Sequence, residues 1–419
     1  MMKIMRRKLI ILLPLLVIPM MGARRRAVTP PEGPTFNREV VRILQQNCQS
    51  CHHPDDIAPF SLMTYHDAVL HADAIKYMTQ TRQMPPWKPA PGCGDFVGER
   101  ALTQSDIDTI AHWVDGGTPE GKASDLPEMK TFDGGWPAGK PDVILSMTKA
   151  FTPPAADDEY RCFSIPGDAT KDLQVAMIDF RPGDRGTVHH IVPYLDATGA
   201  SANLDKNGDG YRCFGGPGIN TATPLGAWSP GARPLPLPEG TAVRIPKGAR
   251  VVMQVHYHPH FGQVAPDQTQ IGLYLTTGAV QKQMHYDFLV NTGFVIRAGD
   301  PDAKVEAFGG TDDDIDIVSI YPHMHLLGTK IKVDARLADG TTACMIDVPQ
   351  YDFNWQGQYV YKTPLHLARG GQLHIEAHFD NSTANFHNPS SPPKDVRWGE
   401  ATTDEMCLAM IGYTTSSGK

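Results

Sequence analysis

The motif CQSCH at residues 48–52 constrains this chain more than any other feature of its sequence. Cys48, Cys51 and His52 have the C-x-x-C-H spacing that attaches a c-type haem, with thioether bonds from both cysteines and the histidine as proximal iron ligand. A zinc half-site would need a second Cys/His pair at finger spacing, and none follows. Since a haem domain takes on the order of a hundred residues, a chain of 419 residues is predicted to contain further domains.

A helix is predicted downstream of this motif, in the segment LTQSDIDTIAHWVDGG. Ser105 is the expected N-cap, and Gly116 and Gly117 are expected to end the helix. The residues with helical spacing form one apolar stripe, which consists of Ile107, Ile110, Ala111 and Val114.

A cytochrome also needs a second axial ligand for the iron. The segment RQMPPWKP offers Met84 in a loop that its two prolines keep rigid and non-helical, with Met63 and Met78 as alternatives. The order of haem motif, Met-Pro loop and C-terminal helix resembles that of class I cytochromes c. The resemblance implies a small all-α haem domain over residues 36–122.

Residues 1–26 have the build of a secretory signal, with a basic start, an apolar stretch from Leu9 to Met21 and small residues after it. The apolar stretch is too short for a comfortable membrane span. Three arginines follow directly, so an uncleaved N-terminal anchor is the alternative. Either form predicts a periplasmic or secreted protein. The formal net charge of −8 disfavours nucleic acid as a partner.

The composition after the helical region indicates many turns and short strands. The chain contains 39 glycines and 36 prolines, which is typical of β-structure rather than of long helices. Residues 123–149 are rich in proline and glycine and show no helical or strand periodicity, so we expect them to form a linker.

Histidines are concentrated in three short apolar segments beyond this linker. TVHHIVPYL, VVMQVHYHPHF and YPHMHLL contain, in order, His189 and His190; His256, His258 and His260; and His323 and His325. Residues i and i+2 share one face of a strand, so His323 and His325 are predicted to bind one ion from one strand. The adjacent pair His189 and His190 would point to opposite faces, and therefore predicts a local irregularity such as a bulge.

The ligand types in these segments favour a transition metal. Imidazole suits copper, zinc, iron or nickel, and a thioether added to imidazoles favours copper, especially copper(I). Met406 in TTDEMCLAMIGY is the candidate thioether ligand.

Six segments stand in the same order as motifs of the copper type II, ascorbate-dependent monooxygenases, which this sequence resembles over about residues 150–416. The segments are EYRCFSIP, TVHHIVPYL, LGAWSPGARPLPLPEGTAVRI, VVMQVHYHP, YPHMHLLGTKI and TTDEMCLAMIGY. The animal members are peptidylglycine α-hydroxylating monooxygenase and dopamine β-monooxygenase. The resemblance implies two jelly-roll-like β-sandwich domains, at residues 150–272 and 273–416, that face each other across a solvent-filled cleft.

The resemblance also implies two copper sites with different tasks. An electron-transfer copper would be bound by His189, His190 and His256. An oxygen-activating copper would be bound by His323, His325 and Met406. His258 and His260 have no counterpart in the family, although His258 is close enough in sequence to reach the same ion as His256.

The cysteines fit the same layout as disulfides in an oxidising compartment. The layout pairs Cys162 with Cys213 in the first sandwich and Cys344 with Cys407 in the second. Cys93 is left over and is expected to be an unpaired thiol.

These features together predict a copper monooxygenase that hydroxylates a C–H bond of a small organic substrate with O₂. Electrons would arrive through the fused haem from a periplasmic electron donor or a small reductant. The alternative is a haem/copper electron-transfer or copper-binding protein without oxygenase activity. Where the peptide-hydroxylating member binds the substrate carboxylate, this chain has Tyr321, Leu408 and Met410, which favours an apolar or phenolic substrate.

Overall fold

The structure, a computed structural model, describes residues 33–54, 56, 58–132, 136–168, 170–258 and 264–415. The predicted signal peptide or anchor at residues 1–26 and His260 lie outside the described residues. Pro34–Lys419 form one compact unit, so a separate cytochrome domain is not delimited. Within the described ranges, no helix has both the length and the apolar character needed to cross a membrane.

Four α-helices lie near the N-terminus and share a buried core. They are α1 (Val41–Asn47), α2 (Tyr65–Leu70), α3 (Ala72–Gln80) and α4 (Gln104–Asp115), and a π-helical turn at Phe36–Val40 precedes them. Phe36, Leu44, Ile110 and Trp113 are among the side chains that fill this core. The predicted helix over the downstream segment is therefore present, with its apolar stripe turned inward.

The N-cap of α4 differs from the prediction. Thr103 accepts a hydrogen bond from the Asp106 amide at 3.1 Å, and the Asp106 carboxylate accepts one from the Thr103 amide at 3.3 Å. This reciprocal capping box satisfies two amides at once, so the helix begins two residues earlier than a cap at Ser105 would allow. Gly117 has φ +83° and ends the helix as expected.

The rest of the described chain is mainly β-structure. Its strands are β1 (Val143–Ser146), β2 (Glu159–Pro166), β3 (Leu173–Arg181), β4 (Val188–Asp196), β5 (Tyr211–Arg212), β6 (Thr223–Pro224), β7 (Thr241–Ile245), β8 (Arg250–Tyr257), β9 (Gln270–Leu275), β10 (Lys282–Asn291), β11 (Val295–Ile296), β12 (Ala303–Gly310), β13 (Ile315–His323), β14 (Gly328–Arg336), β15 (Thr342–Val348), β16 (Tyr359–Leu367), β17 (Gln372–Phe379), β18 (Val396–Arg397) and β19 (Cys407–Thr415). Short 3₁₀ turns occur at Ala123–Asp125 and Ala200–Asn203.

The two β-sandwiches share one long sheet, which forms one layer of each. The eight-stranded sheet has the order β1-β9-β3-β7-β10-β19-β13-β16. A five-stranded sheet, β5-β2-β8-β4-β6, shares a core with its first half, and a four-stranded sheet, β12-β17-β14-β15, shares a core with its second half. The parallel pairing of β7 with β10 joins the two halves. This arrangement is consistent with two β-sandwiches.

Side-chain alternation shows why these segments form strands. In β14, Ile331, Val333 and Ala335 are fully buried, whereas Lys332 and Asp334 between them are not. In β13, by contrast, nearly every residue is buried, because Ile315, Ile317 and Ile320 pack in the second core and Val318 packs in the first. The strand that ends at His323 is therefore held in the interior of the sheet.

Two predicted boundaries need correction. β9 crosses the boundary placed between residues 272 and 273, and it pairs with β1 and β3 of the first sandwich. β1 lies inside the predicted linker at residues 123–149, where Leu145 is buried in the first core. A four-residue edge strand is too short to produce a visible periodicity, which explains why the sequence pattern did not reveal it.

The disulfide pattern confirms one predicted pair and corrects the other. Cys162 is bonded to Cys213 as expected, but Cys344 is bonded to Cys93 rather than to Cys407. Cys407 is a free, buried cysteine on β19, whereas Cys344 lies on β15, the edge strand of the other sheet. Because the loop between α3 and α4 packs against β15, it brings the α-carbon of Cys93 within 5.2 Å of that of Cys344.

Removal of the Cys93–Cys344 bond is expected to destabilise the protein substantially. The bond closes a loop with a sequence separation of 251 residues, and such a cross-link contributes about 5 kcal/mol through the entropy of the unfolded chain. We expect Cys93→Ala/Cys344→Ala protein to lose this amount in denaturant unfolding. Cys407→Ala, the matched control, should lose only about 1 kcal/mol through packing. Equal losses in the two proteins would favour the Cys344–Cys407 pair instead.

Candidate metal centre

The first histidine cluster lies where β4 and β8 pair. His190 is directly opposite His256, and the pairing register shifts between Val188 and His190. This shift confirms the irregularity predicted from the adjacent histidines. It brings the rings of His189 and His190 to the same side of the strand. Nδ1 of His189 lies 3.2 Å from Nδ1 of His190. One ring nitrogen from each of the three histidines lies within 4.8 Å of the other two.

The surroundings of this cluster suit a metal ion. Nδ1 of His256 is buried and has no hydrogen-bond partner among the described residues, a state that a bound cation would relieve. The ring stacks on Tyr160 at 4.2 Å between centroids. Burial, with a smaller contribution from neighbouring imidazoles, lowers the pKa of His189 and His190 well below the usual value. These imidazoles are therefore neutral near pH 7, which is the form that binds metals.

Asp158 lies beside this cluster and was not identified from the sequence. Its carboxylate is 2.6 Å from Nδ1 of His258 and 3.3 Å from Nε2 of His256. Thr402, from the second sandwich, donates a hydrogen bond to the same carboxylate. Asp158 therefore connects His256 of β8 and His258, which directly follows β8, to the segment that precedes Met406.

The second histidine pair lies at the end of β13. His323 is the last residue of the strand, and His325 lies two residues beyond it, in the following turn. The prediction that one strand face presents both rings is therefore only half right. The turn nevertheless brings the ring centroids within 5.1 Å of each other, at 85°. The turn after β13 therefore brings the two rings together, which strand alternation alone was expected to do.

Hydrogen bonds fix the orientation of both rings. Nδ1 of His323 lies 2.6 Å from Oε1 of Gln356, and Nδ1 of His325 lies 3.1 Å from the Asp404 carbonyl oxygen. With each Nδ1 engaged, Nε2 of each ring would be the atom available to a metal, the usual arrangement around metal-ligating histidines. Burial lowers the pKa of His323 to about 4, so this ring is also neutral at pH 7.

Glu405 fixes the backbone around the second pair. It is fully buried and accepts hydrogen bonds from the amides of His325 at 2.8 Å, Leu327 at 2.6 Å and Met406 at 3.2 Å. Burial raises its pKa to about 8. Glu405 thus ties the turn that carries His325 to the residue that carries the thioether. Its position directly before Met406 was the only sequence signal for this role.

The two clusters lie next to each other instead of across an open cleft. The ring centroids of His190 and His323 are 5.9 Å apart. Phe353 stacks on His189 at 4.4 Å and lies 5.9 Å from His325. The solvent-filled separation implied by the family resemblance is therefore absent from this part of the described structure. The loop between β15 and β16 fills the space with the buried Phe353 side chain.

A cavity of about 350 Å³ opens beside both clusters. His190, His323, His325 and Met406 line it together with the three residues expected near the substrate, Tyr321, Leu408 and Met410. Aromatic and aliphatic side chains make up much of the remaining wall, including Tyr160, Tyr194, Phe288, Val290 and Trp398. The structure therefore brings His190, the three predicted ligands of the second copper and the predicted substrate positions to one pocket, whereas His189 and His256 are not part of its described lining.

The CQSCH motif forms a tight turn at the end of α1. The amides of Cys51 and His52 donate to the Cys48 carbonyl at 3.1 and 3.0 Å. Nδ1 of His52 lies 3.1 Å from the Phe60 carbonyl oxygen, which would leave Nε2 to bind the iron of an attached haem. Neither thiol is in a disulfide. This donor set fits a covalently attached haem.

Met84 follows α3 in a loop, and its role as axial ligand stays a prediction.

Comparisons with known proteins give one family match. Residues 309–418 match the family model for copper type II ascorbate-dependent monooxygenase, C-terminal domain. No curated protein matches the chain.

Solved structures with some similarity include the major capsid protein P2 from bacteriophage PM2, at 10% identity over 65% of this chain and 97% of that chain, TM-score 0.26. PNGF-II is similar at 9% identity over 75% of this chain and 67% of that chain, TM-score 0.29. These TM-scores are too low to support a functional argument.

The family-matched segment contains His323, His325 and Met406, and it therefore supports the copper type II, ascorbate-dependent monooxygenase family and a copper monooxygenase function.

Proposed function

We propose that this protein is an exported copper monooxygenase that inserts one oxygen atom of O₂ into a C–H bond of a small organic substrate. The second oxygen atom leaves as water, and each turnover consumes two electrons. The observation that carries the proposal is that neutral imidazoles from both clusters, His190 from the first and His323 and His325 from the second, line one largely apolar cavity. If the protein had only a structural role, these clustered histidines would have no evident function.

The ligands divide between two coppers. His189, His190 and His256 would bind the electron-transfer copper. His323, His325 and Met406 would bind the oxygen-activating copper. Copper bound at these positions supplies one-electron chemistry and oxygen activation.

The surrounding side chains position these ligands. Gln356 and the Asp404 carbonyl keep Nε2 of His323 and His325 directed to the metal, while Glu405 sets the distance between His325 and Met406. The buried Phe353 excludes water between the two clusters.

The cavity favours an apolar or phenolic substrate over a carboxylate. Tyr321, Leu408 and Met410 offer no positive charge to a carboxylate. The charged side chain in the described lining is Glu400, whose carboxylate accepts a hydrogen bond from the Gly215 amide at 2.8 Å. A substrate carboxylate would face a second carboxylate here, at an electrostatic cost in a partly buried site.

Electrons are proposed to enter through a haem attached to Cys48 and Cys51 and ligated by His52 and Met84. The donor would be a periplasmic redox protein or a small reductant. Covalent haem attachment takes place outside the cytoplasm, which is why we place the protein in the periplasm or outside the cell. The geometry of the His52 ring, with Nδ1 near the Phe60 carbonyl, supports this assignment.

Metal analysis tests the assignment directly. After copper reconstitution, we expect two coppers and one iron per chain by mass spectrometry. His256→Ala should lose one copper, because it removes a ligand whose buried Nδ1 has no other partner in the described structure. His258→Ala, two residues away on the same segment, should retain both coppers. Bound zinc, or a single tightly held copper in the unmodified protein, would contradict the two-site assignment. An oxygen-uptake assay then separates a monooxygenase from a copper-binding electron carrier.

A further inference from the structure

Trp228 and the CQSCH turn border the same cavity. Trp228 lines this cavity, of about 460 Å³, together with Ser50, Cys51 and Arg233. Arg233 donates a hydrogen bond to Ser50 of the motif, and Arg185 forms an ion pair with Asp56 at 2.6 Å. These contacts hold the haem-binding turn against the first sandwich, with the Trp228 side chain on the shared cavity.

The backbone of Trp228 is bonded directly to the strand that carries the first cluster. The Trp228 amide donates to the Ile191 carbonyl at 2.8 Å, and the Ile191 amide donates to the Trp228 carbonyl at 2.8 Å. Ile191 is fully buried and follows His190 in β4. From the indole to the His190 ring, the connection therefore consists of covalent bonds and one hydrogen bond.

A second connection leads to the other cluster but is longer. The Ser229 hydroxyl donates to the Gln356 carbonyl oxygen, and the side-chain Oε1 of Gln356 lies 2.6 Å from Nδ1 of His323. This path crosses two hydrogen bonds and the whole Gln356 side chain. The shorter connection therefore favours His190 as the first destination.

We infer that Trp228 is the residue through which an electron passes from the haem-binding turn to the His189–His190–His256 cluster. The inference rests on the proposed haem and copper sites. Iron(II) becomes iron(III), and copper(II) at the cluster becomes copper(I); no proton moves and no other bond forms or breaks. The backbone hydrogen bonds of Trp228 connect the wall of this cavity to β4 by bonded atoms, and electronic coupling falls more steeply across a gap than along bonds. Trp228 is thus a positioning residue for electron transfer.

Intramolecular electron transfer in the full-length, haem- and copper(II)-loaded protein tests this role. A flash photoreductant reduces the haem without O₂ or substrate, and the Soret band reports its reoxidation by copper(II). We expect a fast phase in the wild type, its loss in Trp228→Leu and an intermediate rate in Trp228→Phe. Trp136→Leu is the matched control, since Trp136 lines the same cavity but packs on Gly272 of β9. It should retain the fast phase.

The outcomes separate the route from the proposed function. Copper content and haem potential are measured for each variant, so that a changed driving force is not mistaken for a changed route. Wild-type rates in Trp228→Leu, with both coppers present, would overturn the route and leave the proposed function intact. If the leucine protein does not fold, a wild-type rate in Trp228→Phe overturns the route equally.

Ser229→Ala should keep the fast phase, and loss of the fast phase in this variant would contradict His190 as the first destination. No transfer in the wild type would refute the haem supply itself.

Discussion

Cys48→Ala/Cys51→Ala protein is expected to contain no covalently bound haem. Both thioether bonds are removed, and the remaining ligand, His52, cannot retain haem through denaturation. The absorption spectrum and a haem stain of the denatured chain measure the loss. Without haem, electron delivery from an external donor to the coppers should fall to the background of direct reduction.

Cys407→Ala is the matched control, because Cys407 is also a free cysteine but lies buried on β19. It should keep the full haem content. Covalent haem that survives in the double variant would contradict the assignment of the CQSCH motif. Met84→Ala should keep covalent haem but alter the axial-ligand bands, and an unchanged spectrum would favour Met63 or Met78.

Met406→His is expected to retain copper and to lose most oxygen activation. The soft thioether favours copper(I), whereas a third imidazole favours copper(II). We expect oxygen consumption to fall by about a hundredfold, at the upper end of the effects of changes around a metal site. Copper analysis and the reduction potential of the bound copper accompany the oxygen measurement.

Met410→Leu provides the control for this change. Met410 lines the same cavity from β19 and is buried, but it is not assigned as a ligand. It should leave the copper potential unchanged. A Met410→Leu protein that matches Met406→His in its copper potential would contradict the choice of Met406 as the thioether ligand.

The sequence identified the histidine clusters because strand periodicity is a local property. Alternation in the segments around His256 and His323 predicted buried strands, and the adjacent His189 and His190 predicted a bulge, which the register shift confirms. The positions of Tyr321 and Leu408 on one cavity also agree with the layout implied by the family resemblance.

Contacts between distant segments were not predictable in the same way. Cys344 pairs with Cys93 because the loop before α4 packs on β15, and no spacing in the chain encodes that packing. Gln356 and Phe353 lie in a loop without a motif, yet Gln356 holds His323 and Phe353 packs against a histidine of each cluster. Loop residues of this kind acquire their role only from tertiary packing.

The joining of the two sandwiches was also missed for a physical reason. The parallel pairing of Lys282 and Gln283 with Thr241 and Ala242 connects β10 to β7 over only two residues. So short a pairing leaves no periodic signal, although it makes one sheet out of two.

The central claim is that the haem supplies electrons for oxygen chemistry at the copper sites. Rapid mixing of the fully reduced, copper-loaded protein with O₂ tests this claim most directly. The wild type is predicted to oxidise its haem as it consumes O₂. His256→Ala is predicted to oxidise haem more slowly while keeping the copper bound by His323, His325 and Met406, because the electron path to that copper is interrupted. A His256→Ala protein that oxidises haem, consumes O₂ and forms product at the wild-type rate would contradict the relay through the first cluster.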